Sequence, residues 1–259
     1  MQIIRKVAVI GAGPGGLVTA KYLLESHRAL GTEPLEVKVF EAEYAIGGTF
    51  YARMYEDGEV RQEIHPSHYS CEALLTPNSQ LVSSKQLTAF SDFRLSDDEP
   101  DFLPVTRYLQ YLNDYCDNFK IRPHILLNAK VGSITRKSTL KGDKHVIEYT
   151  NTQTGDMGEF EADAVAVCCG LHVTPNIPHI PGMEEVPVRL HSSQFKTRAQ
   201  FGVDKTVMIM GVGETGSDMA YLAVTSPTKQ VVLCHRFGFH FAPKVRMFLR
   251  LQFTSFIGD

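Results

Sequence analysis

Val7-Ala-Val-Ile-Gly11-Ala-Gly13-Pro14-Gly15-Gly16 is a short apolar, β-branched run that stops on a cluster of glycines. From Leu17 to His27 apolar side chains recur at helical spacing, with Leu17, Ala20, Leu23 and Leu24 on one face. Gly31 to Pro34 break the chain, and Leu35-Glu-Val-Lys-Val-Phe40 alternates as a strand ending on Glu41. Strand, glycine turn, helix and strand make one βαβ unit, so the order predicts an α/β fold built on a parallel sheet. A second unit follows: Thr206-Val-Met-Ile-Met210 runs into Gly211-Val-Gly213-Glu-Thr215-Gly216, then a helix over Ser217 to Val224 and a strand over Gln230 to Cys234.

A lone GxGxxG is weak evidence, but both copies lie between an apolar strand and a helix, which is the context the chemistry needs. The first glycine permits the tight turn, the second lets backbone approach a pyrophosphate, and the third lets helix pack on strand. The helix N-terminus then offers free N–H groups to phosphates. Glu41 ends the strand after the first turn, where a carboxylate accepts hydrogen bonds from a ribose diol. The second unit ends in His235-Arg236, where a guanidinium suits a ribose 2′-phosphate. One dinucleotide read by an acid and another read by a base imply a flavin–nicotinamide enzyme, with the second unit suited to NADP rather than NAD. Ligand-free glycine turns and solvated strand-end charges are the competing readings.

Residues 45–100 hold many turn formers and predict a long loop region with short elements. Val105 to Phe119 reads as a helix, with Leu109, Leu112 and Cys116 at helical spacing and Tyr108, Tyr111 and Tyr115 as core and rim. Between Ile125 and Gly170 β structure is expected. Val146 to Tyr149 and Glu159 to Glu161 form a hairpin about the turn at Asn151 to Asp156, and Asp163 to Cys169 returns as a buried strand. Pro175, Pro178 and Pro181 mark a linker. The expected division is 1–180 and an incomplete 181–259, since strand, helix and strand alone leave a sheet edge unpaired. In the tail, Val245, Met247, Leu249, Leu251 and Phe253 alternate with polar residues as a half-buried strand does. Lys244 and the arginines also allow a basic surface helix.

The chain has 259 residues, of which 43% are hydrophobic and 21% charged, an ordinary globular balance. A net charge of −3 gives no general reason to bind nucleic acid. Five cysteines without zinc-type pairs suit a reducing compartment, and neither a signal peptide nor a long apolar span is visible. The expected location is therefore the cytoplasm, off the membrane. No dithiol flanks the first glycine turn, which argues against a disulfide reductase. Cys168 and Cys169 are expected as buried strand-end thiols rather than a vicinal disulfide. His65-Pro-Ser-His68 lacks companion ligands, so no metal is expected. His191 is read either as a structural hydrogen-bonder or as a group near the nicotinamide, and Ser217 and Asp218 as caps of the second helix.

This ordered set resembles the flavin-containing monooxygenase family over nearly residues 5 to 243. Gly11-x-Gly13-x-x-Gly16 with Glu41 is similar to its FAD site, and Gly47-Gly48-Thr49-Phe50 to the turn beside the flavin. Ser84-Lys85 with Phe90-Ser-Asp-Phe93 resembles the segment after the family's active-site asparagine. Cys169-Gly170 with Pro175 and Pro178 resembles its crossover between domains. Pro181-Gly182 through His191-Ser192 and Phe195 resembles its fingerprint, although the upstream Phe-x-Gly is missing around Glu185 to Pro187. Phe195 in place of a Trp separates the chain from Baeyer–Villiger relatives. Gly211-x-Gly213-x-x-Gly216 with Asp218 resembles the NADP site.

The resemblance implies a Rossmann-like FAD-binding domain with a β-meander, then a partial Rossmann-like NADP-binding domain. FAD contacts are expected at Gly11, Gly13, Pro14, Gly15, Gly16, Glu41, Gly48 and Thr49. NADPH contacts are expected at Gly211, Gly213, Thr215, Gly216 and Arg236. The implied activity is an NADPH-dependent oxidoreductase of the N,N-dimethylaniline monooxygenase type. It forms a flavin hydroperoxide with O₂ and oxygenates a small soft nucleophile, an amine or a sulfide. Val82 stands where the family has its asparagine and cannot donate a hydrogen bond. With family members continuing well beyond this length, that leaves two alternatives: a truncated, non-catalytic flavin-binding protein, and a flavin reductase that makes peroxide.

Overall fold

The computed structural model describes residues 3–52, 81, 83–139, 142–170, 175–195, 197–236 and 238. Strand β1 (Lys6–Ile10), helix α1 (Pro14–Leu30) and strand β2 (Glu36–Phe40) form the first βαβ unit, with Val7 paired to Val37 and Ile10 to Phe40 in parallel. The helix is longer at both ends than the apolar periodicity alone predicts. Pro14 fits the first turn, where no N–H is needed, and the left-handed Gly31 closes the last turn by donating its N–H to the His27 carbonyl. Short helices α2 (Thr49–Ala52) and α3 (Lys85–Thr88) precede the longer α4 (Val105–Asn118). Strand β3 (Ile125–Leu126) pairs with β2, and β7 (Ala164–Val167) pairs with β1, giving the parallel order β3-β2-β1-β7.

Between β3 and β7 lies an antiparallel meander of β4 (Ala129–Thr139), β5 (Gly142–Asn151) and β6 (Met157–Ala162). The expected hairpin is its β5–β6 pair, with Ile147 opposite Phe160. Alternation along β1 and β2 decides what each face of the parallel sheet covers. Val9, Val37 and Val39 join Leu17 and Ala20 of α1 and the α4 tyrosines in one apolar cluster. Ala8 and Phe40 join Ala129, Ile147 and Ala162 of the meander in another. Phe40 fills the second interface, with ring centroids 5.1 Å from Tyr149 and 5.6 Å from Phe160. Tyr108, Tyr111 and Tyr115 are all fully core, not rim.

Asp163 fastens these layers. Its carboxylate accepts the N–H groups of Arg5 (2.7 Å) and Lys6 (2.8 Å) and pairs with the Lys144 ammonium of β5. Burial alone would raise its pKa. The Lys144 ammonium and the two N–H groups outweigh burial and hold it at about 2.

The second unit consists of β8 (Thr206–Met210), α5 (Glu214–Val224) and β9 (Gln230–Cys234), with Thr206 paired to Gln230 and Met210 to Cys234 in parallel. Its small core gathers Phe195, Met219 and Leu222 with Phe201, Ile209 and Tyr221. Among the described residues β8 has β9 as its one strand neighbour, and Met208 and Met210 remain 59% and 52% exposed.

Three expectations are corrected. Residues 163–169 are not a buried strand: among the described residues β7 is the edge of its sheet, its residues are half-covered, and Val167 is exposed. Cys168 and Cys169 are free thiols as expected, but Cys168 is only half-buried and Cys169, past the strand's end, is exposed. Ser217 and Asp218 do not cap α5, which begins three residues earlier with Gly213 as its N-cap and no side-chain cap. Cys71, His65, His68 and the 245–253 alternation lie outside the described residues.

Candidate functional site

Both glycine turns have the same geometry at positions 200 residues apart. In the first, Gly11 is left-handed (φ +101°) and donates its N–H to the Phe40 carbonyl at 2.7 Å. In the second, Gly211 (φ +109°) donates to the Cys234 carbonyl at 3.0 Å. Gly13 and Gly213 then cap their helices in extended backbone, with φ/ψ of −73/−179° and −70/179°. Their carbonyls accept the N–H groups of Leu17 (3.0 Å) and Ser217 (2.9 Å). The earlier N–H groups of each helix therefore have no intrahelical partner and are available to an anion.

The glycines divide by what a side chain would meet. A Cβ on Gly16 would stand 1.8 Å from the Gly11 carbonyl oxygen, and one on Gly216 would stand 2.1 Å from that of Gly211. The third glycine of each turn is thus demanded by the fold. Gly13 is not: its φ is open to any residue, and a Cβ would meet Gly48 Cα at an ordinary 3.6 Å. At Gly15 and Gly213 a Cβ would meet nothing within 4 Å. Open space in front of Gly15 and Gly213, with only an ordinary contact at Gly13, leaves at the two helix N-termini a cradle that side chains would narrow.

Other predicted residues converge on the first cradle. Gly47 donates its N–H to the Ala12 carbonyl at 3.0 Å, and Gly48 (φ +56°) lies so close that its Cβ would stand 3.0 Å from Gly13 Cα. Thr49 starts α2 directly behind. Glu41 is 6% exposed, and its carboxylate is held in place by the N–H groups of Ala12 (2.6 Å) and Glu43 (3.0 Å). Each of its oxygens keeps acceptor capacity for a diol. The first unit therefore brings Gly11 to Gly16, Glu41, Gly48 and Thr49 together. In the second, Thr215 lies in the first turn of α5, and Arg236 lies exposed two residues beyond β9. Val82 lies outside the described residues.

His191 is occupied structurally. Its Nδ1 accepts the Ser193 N–H at 3.2 Å and its own N–H reaches Gln194 Oε1 at 2.9 Å, which caps a short 3₁₀ turn. The buried tyrosines are no proton acceptors: burial pushes Tyr108 up to about 12 and Tyr115 higher still. Among the described residues no group of three His, Cys, Asp or Glu could hold a metal, and no helix is long and apolar enough to cross a membrane.

The sequence reading missed two buried lysines. Lys21 lies on the apolar face of α1 and pairs with Asp92 (2.7 Å) and Glu25 (3.0 Å) beneath the rings of Tyr22 and Phe119. The Asp92 carboxylate raises its pKa, and Lys21 in turn lowers that of Asp92. Its place on the stripe Leu17, Ala20, Lys21, Leu24 was the available signal. Lys85 carries no such signal in the sequence; its surroundings are described below.

A three-layered first unit and two matched glycine cradles, one with a buried acid and one followed by an arginine, define a tandem dinucleotide-binding protein. Residues 4–246 match the description "Flavin-binding monooxygenase-like", and the chain belongs to that family. The family's cofactors are FAD and NADPH. The chain is 53% identical over 239 residues to a monooxygenase of Aspergillus candidus, cfoE, covering 92% of this chain and 37% of that one. Human flavin-containing monooxygenase 2 is 32% identical over 240 residues, covering 90% and 40%. Among solved structures, S-allyl-L-cysteine S-oxygenase from Allium sativum superposes with a TM-score of 0.70 at 24% identity, covering 95% of this chain and 54% of that one. The chain spans about two-fifths of the length of the curated relatives it matches.

Proposed function

We propose that this chain is the nucleotide-binding part of an FAD- and NADPH-dependent monooxygenase acting on a small soft nucleophile, an amine or a sulfide, in the cytoplasm. Residues 1–180 hold FAD and 181–259 contribute an NADPH site. The observation that carries this reading is that the fold itself has no need of glycine at Gly13, Gly15 and Gly213, with open space in front of the last two. In it, Gly11, Gly13, Pro14, Gly15 and Gly16 receive the FAD pyrophosphate, Glu41 accepts from the adenosine ribose, and Gly48 and Thr49 lie toward the flavin. Gly211, Gly213, Thr215 and Gly216 receive the NADPH pyrophosphate, and Arg236 pairs with its 2′-phosphate. Bound FAD supplies hydride acceptance from NADPH and electron transfer to O₂. The chain's own residues bind, orient and shield it.

An anaerobic absorbance spectrum of the purified chain, before and after NADPH, tests the reading. A bound flavin spectrum that bleaches supports both sites. A protein that stays colourless after FAD is supplied refutes them. Val82 favours a second reading, a flavin-dependent reductase that releases peroxide, because an apolar side chain provides no hydrogen-bond donor at that position. Peroxide matching NADPH consumed, with no oxygenated amine or sulfide, supports it. Val82→Asn then shifts the balance toward oxygenated product.

A further inference from the structure

Lys85 is 8% exposed and has no carboxylate partner among the described residues. Its ammonium instead donates to three backbone carbonyls, those of Ser96 (3.2 Å), Asp97 (2.6 Å) and Glu99 (2.5 Å). An ammonium has three donors and no acceptor, so this arrangement uses its whole capacity. It also satisfies carbonyls that an apolar side chain would leave bare, at the cost of burying a charge. Such a device behaves as an internal cation around which a turn is wound.

The turn is tied onward in two directions. Toward α3, the Lys85 N–H donates to the Asp101 carbonyl at 2.5 Å, and the Leu81 N–H donates to that of Leu103 at 2.8 Å. Toward α4, Glu99 gives its carbonyl to Lys85 and its carboxylate to Arg107, at 2.6 Å from Nε, while Arg107 also reaches Asp114. Helix α4 abuts the turn beside the first cradle: Leu109 Cδ2 lies 2.5 Å from where a Cβ on Gly47 would stand, and Tyr108 packs edge-on against Phe50 with centroids 4.8 Å apart. Leu81, Leu103, Tyr108 and Ile46 share one buried cluster, against which Phe50 packs. Lys85, Glu99, Arg107 and α4 therefore form a continuous chain of contacts ending on Gly47 and Phe50.

We infer that Lys85 is a positioning residue for the FAD site: by winding the carbonyls of Ser96, Asp97 and Glu99 about its ammonium it sets α4 and, through α4, the Gly47–Phe50 turn. The inference rests on the FAD reading of the first unit. It does not place Lys85 in contact with the cofactor.

The test compares wild type, Lys85→Ala, Lys85→Met and Glu99→Gln in the full chain, by flavin fluorescence titration and by amide hydrogen exchange without FAD. Lys85→Ala and Lys85→Met should weaken FAD binding about tenfold, because the Gly47–Phe50 turn must then be ordered as the cofactor binds. Glu99→Gln, which keeps the carbonyl but loses the Arg107 ion pair, should weaken it less. Exchange at the Leu81 and Lys85 amides should quicken in the Lys85 variants, while β1 and β2 stay protected. Propylammonium, which supplies the missing three carbons and ammonium and is protonated at neutral pH, should restore FAD affinity to Lys85→Ala but not to Lys85→Met, which fills the space. Wild-type FAD affinity in both Lys85 variants overturns the inference, as does uniform loss of protection across β1 and β2 or absence of rescue. A wild type that holds no FAD refutes the FAD reading itself, and this inference with it.

Discussion

Gly13→Ala and Gly16→Ala differ by three positions in one turn, and the structure assigns them opposite consequences. At Gly16 a Cβ would stand 1.8 Å from the Gly11 carbonyl oxygen and 2.9 Å from its carbon, both backbone atoms that cannot rotate away. Relief requires α1 to retreat from β1 by more than an ångström, into a core where Leu17 and Ala20 are already packed. Overpacking of this kind costs about 3 kcal/mol, the upper end of the usual range. For a chain of this size that lowers the melting temperature by roughly 6–12 °C. At Gly13 the backbone suits any residue and a Cβ meets Gly48 Cα at 3.6 Å, so alanine should leave the ligand-free fold unchanged or raise its stability by about 0.5 kcal/mol. If the space before Gly13 is kept for a pyrophosphate, the same methyl should weaken FAD binding by about 3 kcal/mol, or roughly a hundredfold. Urea melts of the ligand-free protein and flavin fluorescence titrations separate the two effects. Gly13→Ala with wild-type FAD affinity would remove the argument that the second glycine is there for a ligand.

Further outcomes follow from the same geometry. Asp163 has a folded pKa of about 2 against an ordinary 3.8, so its stabilisation is fully present above pH ~4 and lost as pH falls through about 2. The difference of nearly two units amounts to about 2.5 kcal/mol, seen as an acid-labile gap in urea midpoint between wild type and Asp163→Asn; a gap independent of pH would contradict it. Arg236→Ala should weaken NADPH binding by about 1.5–3 kcal/mol and spare NADH, by titration of each nucleotide; equal losses would show the assignment wrong. Glu41→Gln should selectively lower FAD retention on gel filtration, and unchanged retention would remove its ribose role. Lys21→Met and Asp92→Asn should each destabilise by about 1 kcal/mol, with the double variant costing less than their sum, because the two groups share one ion pair and Asp92→Asn leaves the buried Lys21 ammonium with Glu25 alone.

The fold was legible wherever periodicity and punctuation agreed. Both strand–glycine–helix–strand runs, the 105–118 helix and the β5–β6 hairpin lie where their patterns predict. The reading failed where a pattern does not reveal its neighbours. Asp163 to Cys169 is apolar enough for a central strand, but nothing in it tells that β7 is an edge. Ser217 and Asp218 are good capping residues, yet the helix starts at Glu214 because the glycine turn lets it. Of the candidate site, the glycine turns and Glu41 could be proposed from local rules, and the Gly47–Gly48 turn from the family resemblance alone. Lys21 and Lys85 were not, since their partners Asp92, Ser96, Asp97 and Glu99 reach them through a loop with no periodicity to announce it.

The two glycine turns also show that one pattern can be satisfied to different depths. Both meet the local terms: a left-handed first glycine, an extended second, and a third pressed on the first carbonyl. Among the described residues the first is closed from its far side, where the Cys168 carbonyl just past β7 lies 2.5 Å from where a Cβ on Gly11 would stand, whereas a Cβ on Gly211 would meet none of them within 4 Å. Glycine at position 11 is therefore fixed twice, by φ and by a neighbouring strand, and at position 211 by φ alone. Gly11→Asn should accordingly be destructive, because the added atoms strike β7. Gly211→Asn should cost less in the ligand-free fold, since it carries the strain of a left-handed backbone without that collision. A thermal melt of each variant decides it, and equal losses would mean that the Cys168 carbonyl adds nothing to the constraint on Gly11.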